Sequence, residues 1–394
     1  MPEVVTPVRS RLPLVSVVIP TWNGARLLPQ AIRSVLEQEG VGEEFGVEVI
    51  VVDDGSPDDT PSVVRHFPQV RYLRLDVNRG VCGAQNAGFE LATGDYVAYL
   101  GDDDLWLPHK LRLQLPLIEA RPDAAVVYGQ NLVSRGDRLT VWPPDHAPSG
   151  RIFEKLLMAG VVPVRTALIR RAAHTEVGGF DESLRCYEAD DLFLRLAFRH
   201  PFVFQPGPVA IYRRFTTGLY LRAIEDGSTR RDASAVVEKA LALLPADDTH
   251  NALRARARAA VALNHAWELC DLQAWGRLGD YLVDLLDRWP ELPRAIDTRG
   301  TVARLLVRCA AESPAPIETL SALEARCGGS RSSRLWADAW AWLAADIARA
   351  APPDGRRARL TARRAISRGI LHRPLLLRHR ETLAMLIGWT VGLA

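Results

Sequence analysis

The sequence predicts an α/β fold: a mixed, mostly parallel sheet flanked by helices, followed by an all-α C-terminal domain. Three observations predict it. Up to about residue 214, short β-branched runs alternate with segments of helical apolar spacing, the order of a layered α/β domain. Three of those runs, V-S-V-V-I, V-E-V-I-V-V and Y-V-A-Y-L, lead straight into polar or acidic patches at Pro20–Asn23, Asp53–Ser56 and Gly101–Asp104. After about Tyr220 strand signals stop, and Ala, Leu, Arg and Trp recur with a helical period.

Val15–Ile19 is a short β-branched run and reads as a buried strand. Ala25–Gln38 carries Leu28, Ile32, Val35 and Leu36 at helical spacing, and Val47–Val52 is the second strand. Asp58–Phe67 is a short helix, capped by Asp58 or Asp59 with Pro61 in its first turn. Val70–Leu75 alternates as a third strand, Val81–Ala92 is a helix of small residues bounded by Gly80 and Gly94, and Tyr96–Leu100 is the fourth strand. A helix at Pro108–Glu119 and a strand at Ala124–Tyr128 continue the alternation. Residues 129–150 read as loop and hairpin, followed by a helix at Ile152–Met158 and an apolar strand near Val161–Ile169. Ala189–Phe198 is helical, and Pro206–Arg214 is a last extended segment. Helices then follow at Ala235–Leu244, Leu253–Leu269, Leu278–Trp289, Val302–Ala311 and Trp336–Ile347, without a fixed repeat period. The boundaries this implies are a flexible tail over 1–13, an α/β domain over 14–220 and a helical domain over 221–394.

The composition is that of a globular protein of two domains, 48% apolar and 24% charged. A net charge of +2 gives no field for nucleic acid. All but three of the 49 basic residues are Arg, a bias uniform enough to reflect genome composition. The five cysteines form no C-x-x-C pair and no zinc spacing, and no histidines cluster. Reduced thiols in a cytosolic protein are the expectation. Met1–Arg11 is polar and Pro-containing, so no leader is expected there. No stretch reaches the roughly 18–20 apolar residues of a membrane span.

In an open parallel sheet ligands bind beyond the carboxyl ends of the strands, so the three patches are expected along one edge. Clustered carboxylates there suit a hard divalent cation carrying phosphates. Three adjacent acids, Asp102, Asp103 and Asp104, repel one another unless a cation or an Arg neutralises them. The alternative is a solvated acidic turn. Asp53 and Asp54 end a strand, where a carboxylate can accept from a nucleobase N–H or a ribose hydroxyl; Asp54-Gly55 can equally be a plain tight turn. Trp22 could cover a base or fill the core.

Taken in order, V-S-V-V-I-P-T-W-N, V-I-V-V-D-D-G-S, N-R-G-V-C-G-A-Q-N-A-G, G-D-Y-V-A-Y-L-G-D-D-D-L-W and G-G-F-D-E-S-L resemble family 2 glycosyltransferases of the GT-A fold, over about Leu14–Arg214. The resemblance implies an inverting enzyme that moves a sugar from a nucleotide-diphospho-sugar to an acceptor hydroxyl, in polysaccharide, glycolipid or glycoconjugate biosynthesis. It places nucleoside and phosphate contacts at Pro20, Thr21, Asn23, Asp53, Asp54, Arg79, Gly80 and Asp102. It places Mg²⁺ or Mn²⁺ at Asp103, with Asp102 and Asp104. The sequence departs from the family at Gly101, where the metal motif normally begins with an acid, and at Gln85, where an Arg is frequent. A His is also frequent shortly after Tyr212-Arg213-Arg214, where this chain has Phe215-Thr216. Gly178–Asp181 resembles the acceptor-side turn. The general base is expected at the helix start after it, where Glu188-Ala189-Asp190-Asp191 has Ala189 in place of the usual aspartate. Glu188 is the first candidate and Asp190 the second. Asp191 is four residues before Arg195, spaced for an intrahelical ion pair.

From Ala351 to Ala394 nine Arg face two acids, with Trp389 in an apolar tail. This end fits attachment to an anionic membrane surface or a terminal helix docked on the helical domain. The first would put the protein at the inner face of a membrane and suit a lipid-linked acceptor. The helical half is expected to position a carbohydrate or lipid-linked acceptor, to oligomerise or to dock on membrane. Two rival readings stay open: a sugar-nucleotide-binding scaffold acting through its helical domain, and a nucleotidyltransferase, which would need a more basic, Gly-rich loop after the first strand.

Overall fold

The computed structural model describes residues 11–135, 138–213, 219–272, 275–288, 305–307 and 316–326, with single positions at 339, 343 and 365. It divides into two compact units, Met1–Pro245 and Ala246–Ala394.

The first unit is built on a nine-stranded sheet. The strands are β1 (Leu14–Thr21), β2 (Gly46–Asp53), β3 (Arg71–Arg74), β4 (Tyr96–Tyr99), β5 (Leu105–Trp106), β6 (Val126–Arg135), β7 (Arg138–Trp142), β8 (Leu168–Arg170) and β9 (Phe202–Arg213). Their spatial order is β3-β2-β1-β4-β8-β6-β9-β5, with β7 hairpinned on β6. β3, β2, β1 and β4 run parallel, as do β6 and β9; β8 is antiparallel to both neighbours.

Val15, Val17, Val18 and Ile19 are all fully buried because helices cover both faces of β1. One face packs on α1 (Leu28–Leu36) through Leu28, Ala31, Ile32 and Val35, and joins Leu111, Leu115 and Ile118 of α4 (Lys110–Glu119) in one core. The other face takes α3 (Gly80–Leu91), which follows the short α2 (Thr60–Val64). The small residues of α3 are a packing requirement: a Cβ at Gly88 would collide with Val18 and meet Val52 at 3.0 Å.

The expected apolar strand near Val161–Ile169 is corrected. Its first half is a 3-10 turn at Val164–Thr166, and only Leu168–Arg170 pairs in the sheet. Thr166 closes the turn with both its N–H and its hydroxyl on the Pro163 carbonyl, at 2.9 and 2.8 Å. Before residue 214, β5 and the helix α6 (Arg171–Val177) were not foreseen. α5 (Phe153–Met158) and α7 (Glu188–Arg199) match their expected segments. Beyond residue 220 come α8 (Leu219–Glu225), α9 (Ser228–Leu241), α10 (Asp248–Asp271), α11 (Trp275–Arg288) and α12 (Pro316–Arg326). α9, α10 and α11 fall on expected helices and α8 and α12 on none, while the expected helices at Val302–Ala311 and Trp336–Ile347 lie almost wholly outside the described residues. α8 and α9 belong to the first unit, which runs to Pro245 rather than stopping near residue 220. In the second unit Tyr281 of α11 donates to the Ala262 carbonyl of α10 at 3.0 Å. The basic, apolar stretch from Ala351 lies outside the described residues except for Ala365. No described helix is long and apolar enough to cross a membrane.

α6 brings His174 into the core. It is fully buried, bonded to the Tyr99 hydroxyl at 2.8 Å and set 4.0 Å from the Phe89 ring. Burial, helped by the charge of Arg195, lowers its pKa to about 3. A histidine held neutral contributes stability that is complete above its unfolded pKa of about 6.5 and is lost as the pH falls toward the folded value. Urea unfolding of the first unit should therefore weaken by up to about 1.4 kcal/mol per pH unit from this group below about pH 6.5. The slope should flatten in the Tyr99→Phe/His174→Phe pair. An unchanged slope would remove His174 as its source.

Candidate functional site

β1, β2 and β4 are parallel neighbours, so their carboxyl ends and the three patches fall on one edge of the sheet. Hydrogen bonds tie the patches together. The Asp54 N–H donates to the Thr21 carbonyl at 2.9 Å, the Asn23 N–H to Ser56 Oγ at 3.0 Å, and the Ala25 N–H to Asp58 at 3.0 Å. Thr21 Oγ1 donates to Asp102 Oδ2 at 2.5 Å, joining the first patch to the third. Asn23 adopts φ 59°, and Trp22 beside it is 51% exposed, so Trp22 does not fill the core.

The two acids after β2 are used differently. Asp53 is fully buried and accepts from the Ser56 N–H at 2.7 Å, the Tyr72 hydroxyl at 2.5 Å and Arg74 at 2.8 Å. It organises its own turn. Asp54 accepts from the N–H groups of Arg79 and Gly80, at 2.6 and 2.8 Å, and so caps the N-terminus of α3 from outside the helix. Gly55 permits this with φ 73°. Asp54→Ala should cost about 1–2 kcal/mol of stability through the lost cap, read from the shift in urea midpoint at constant slope; a loss below about 0.3 kcal/mol would show the cap to be dispensable. Arg79 is an exposed partner of Glu182 at 2.9 Å, so its side chain is engaged away from the patches.

The three acids after β4 also separate. Asp104 is buried and paired with Arg165 at 2.5 Å, and it accepts the Arg213 N–H at 3.1 Å. Asp102 is held by Thr21, and burial raises its pKa. Asp103 has no side-chain partner among the described residues. Burial, then the charges of Asp104 and Asp102, push it up to about 7. Of the two neutralisers the sequence allows, a cation or an Arg, Asp104 has the Arg: Arg165. Among the described residues no three His, Cys, Asp or Glu side chains converge on a metal cage. An uncompensated oxygen donor such as Asp103 nonetheless fits Mg²⁺ or Mn²⁺ in the mode where one or two carboxylates anchor the ion and substrate phosphates complete its shell. A Cβ at Gly101 would stand 3.0 Å from Asp103 Oδ1, so the missing side chain leaves room beside that oxygen.

Arg165 is the residue that sequence reasoning missed, because V-P-V-R-T reads as strand. The 3-10 turn carries it inward, where Nη1 donates to Asn131 at 3.0 Å and the guanidinium stacks 3.9 Å over the Tyr212 ring. Its charge opposes the upward shift that burial causes at both Asp103 and Glu188.

Glu188 is half-buried at the first position of α7, and burial raises its pKa. Asp190 is pushed up to about 7 by burial and by Glu188. It lies under the 159–162 loop, where any Cβ at Gly160 would strike its carboxylate. Asp191 is buried between Arg195 at 2.7 Å and Lys239 at 2.8 Å, in the intrahelical ion pair that its spacing predicts, so it is not the base. The Gly178-Gly179-Phe180-Asp181 turn, with φ 85° and 77° at its glycines, is pinned to α3 by Asn86, which bonds both backbone groups of Phe180.

Residues 16–178 match the family described as glycosyl transferase family 2. The chain is 40% identical over 134 residues to the succinoglycan biosynthesis protein ExoO of Rhizobium meliloti (strain 1021), a match covering 34% of this chain and 37% of that protein. It thus spans little more than a third of that relative's length. It is 31% identical over 228 residues to an uncharacterized glycosyltransferase, RP339, of Rickettsia prowazekii (strain Madrid E), covering 54% of this chain and 69% of that protein. A mannosyltransferase from Pyrobaculum calidifontis, solved in complex with GDP-Man and Mn²⁺, shares the fold with a TM-score of 0.50 at 21% identity, over 84% of this chain and 87% of that one. The GT-A arrangement of sheet and helices and the match along most of the Rickettsia protein agree, and this chain belongs to glycosyl transferase family 2.

Proposed function

We propose that the first unit transfers a sugar from a nucleotide-diphospho-sugar to an acceptor hydroxyl with inversion, in the assembly of a polysaccharide or other glycoconjugate. The observation that carries this is the edge itself. Three hydrogen-bonded loops come together there, and among the described residues the third presents one carboxylate, Asp103, that no other side chain holds, with Arg165 acting on both it and Glu188.

Thr21, Asn23 and Asp54 form the floor for the nucleoside, and exposed Trp22 can cover the base face. Mg²⁺ or Mn²⁺ held by Asp103 would supply charge stabilisation to the leaving diphosphate. Glu188 accepts the proton of the acceptor hydroxyl as that oxygen bonds to the anomeric carbon. The bond from the anomeric carbon to the diphosphate oxygen breaks, and the nucleoside diphosphate leaves with the electron pair. Burial favours a Glu188 that takes up a proton readily. Asp190 is the weaker candidate because the 159–162 loop covers it. A carbohydrate or lipid-linked acceptor completes the reading, and the succinoglycan relative supports a role in polysaccharide assembly.

The test is nucleotide release from UDP-, GDP- and dTDP-sugars with Mn²⁺ or Mg²⁺. Metal-dependent release from one donor supports the transferase and names that donor. Neither release nor metal-dependent nucleotide binding across the panel would sink it in favour of a non-catalytic scaffold.

A further inference from the structure

Residues 178–187 carry the chain from α6 to Glu188, and α9 holds them from outside. Asp232 of α9 is 5% exposed and accepts the N–H groups of Arg185 and Cys186, at 2.9 and 3.1 Å. Two turns further along α9, Lys239 Nζ bridges Asp181 Oδ2 at 2.9 Å and Asp191 Oδ1 at 2.8 Å, one carboxylate on either side of Glu188. Between these ties Tyr187 takes the left-handed conformation, φ 60°, and serves as the N-cap of α7. A non-glycine residue there is strained and persists only where its surroundings over-determine it. The two α9 side chains tie the chain down on both sides of Tyr187, Asp232 at residues 185 and 186 and Lys239 at Asp181 and Asp191.

We propose that α9, through Asp232 and Lys239, is the positioning element that sets the Glu188 carboxylate for proton transfer. The transferase site is then incomplete without residues that lie well beyond the family match at 16–178. The inference rests on Glu188 as the base. Neither α9 residue touches the substrate. They act by fixing where a catalytic oxygen stands, and a displacement of about 1 Å can cost about 100-fold in rate.

Asp232 also faces Glu188 electrostatically and raises its pKa, while Arg165 opposes it; Asp190 and Cys82 are the other titratable groups coupled to Glu188. Removing the Asp232 charge lowers the pKa of Glu188. The acid limb of kcat then moves to lower pH, which loss of packing alone would not do.

The experiment measures kcat and donor KM in the full chain for Lys239→Met, Lys239→Arg, Asp232→Asn and Glu188→Gln, with kcat as a function of pH. Lys239→Met is expected to lower kcat about 10- to 100-fold while donor KM stays within about twofold, with Lys239→Arg restoring most of it. Asp232→Asn is expected to shift the acid limb downward. If Asp232→Asn does not fold, the Lys239 pair carries the test alone. Unchanged kcat in Lys239→Met alongside loss in Glu188→Gln overturns the α9 role by itself. An equal loss of donor affinity and kcat in Lys239→Met, without rescue by Arg, overturns it too, as general destabilisation. Full kcat in Glu188→Gln instead removes the base assignment on which the inference stands.

Discussion

Glu188→Gln is expected to lower kcat by about 10²–10⁴-fold while leaving donor KM nearly unchanged, the range lost when a positioned general base is removed. The substitution keeps the size of the side chain and its place in the first turn of α7, so the loss reports the proton acceptor rather than the fold. Glu188 shares the field of Arg165 with Asp103, whereas Asp190 is covered at Gly160 and Asp191 is spent between Arg195 and Lys239. Asp190→Asn should therefore cost well under 10-fold in kcat. The pH profile follows from the direction of the shift. Burial raises the Glu188 pKa above its ordinary 4.5, and a base works only when ionised, so kcat should rise with pH through that raised value and then level. Full kcat in Glu188→Gln with loss in Asp190→Asn would exchange the two roles.

Asp103→Ala is expected to abolish metal-dependent turnover, by at least about 100-fold, because the variant loses the one acid of the patch without a side-chain partner among the described residues. Asp104→Asn makes the contrast. It breaks the Arg165 pair at 2.5 Å rather than a cation anchor. A buried pair that loses one partner costs about 3–5 kcal/mol, so Asp104→Asn should show mainly as lost stability. Retained Mn²⁺ response at a lowered unfolding midpoint is its expected signature. Thermal unfolding and nucleotide release at graded Mn²⁺ read both variants on the same samples. Full metal response in Asp103→Ala would show that the cation is held elsewhere or not needed.

Much of this site could be read along the chain. The β-branched runs at Val15–Ile19, Val47–Val52 and Tyr96–Leu100 place three loops at strand ends, and the βα alternation makes a mostly parallel sheet the expectation, which the pairing of β1 with β2 and β4 meets. The small residues from Gly80 to Gly88 foretell a helix pressed onto the sheet. Asp191 four residues before Arg195 foretells an ion pair, and the pair is there. The 3-10 turn at Val164–Thr166 was not legible, because an apolar run with β-branched residues reads as strand until Pro163 and Thr166 are seen to close a turn on each other. α6 followed without a turn signal that separates it from β8.

The sequence by itself determined the layered α/β fold, the family and the edge where chemistry can occur, because strand period, loop residues and motif order are local properties of the chain. What only the tertiary structure decided is which acids remain uncommitted. Asp53, Asp54, Asp102 and Asp104 look alike in sequence to Asp103. They differ because Tyr72, Arg74, the amides of α3, Thr21 and Arg165 reach them from other segments. The availability of a carboxylate is set by whatever neutralises it, and those partners are brought within hydrogen-bond distance only when the sheet and its helices close.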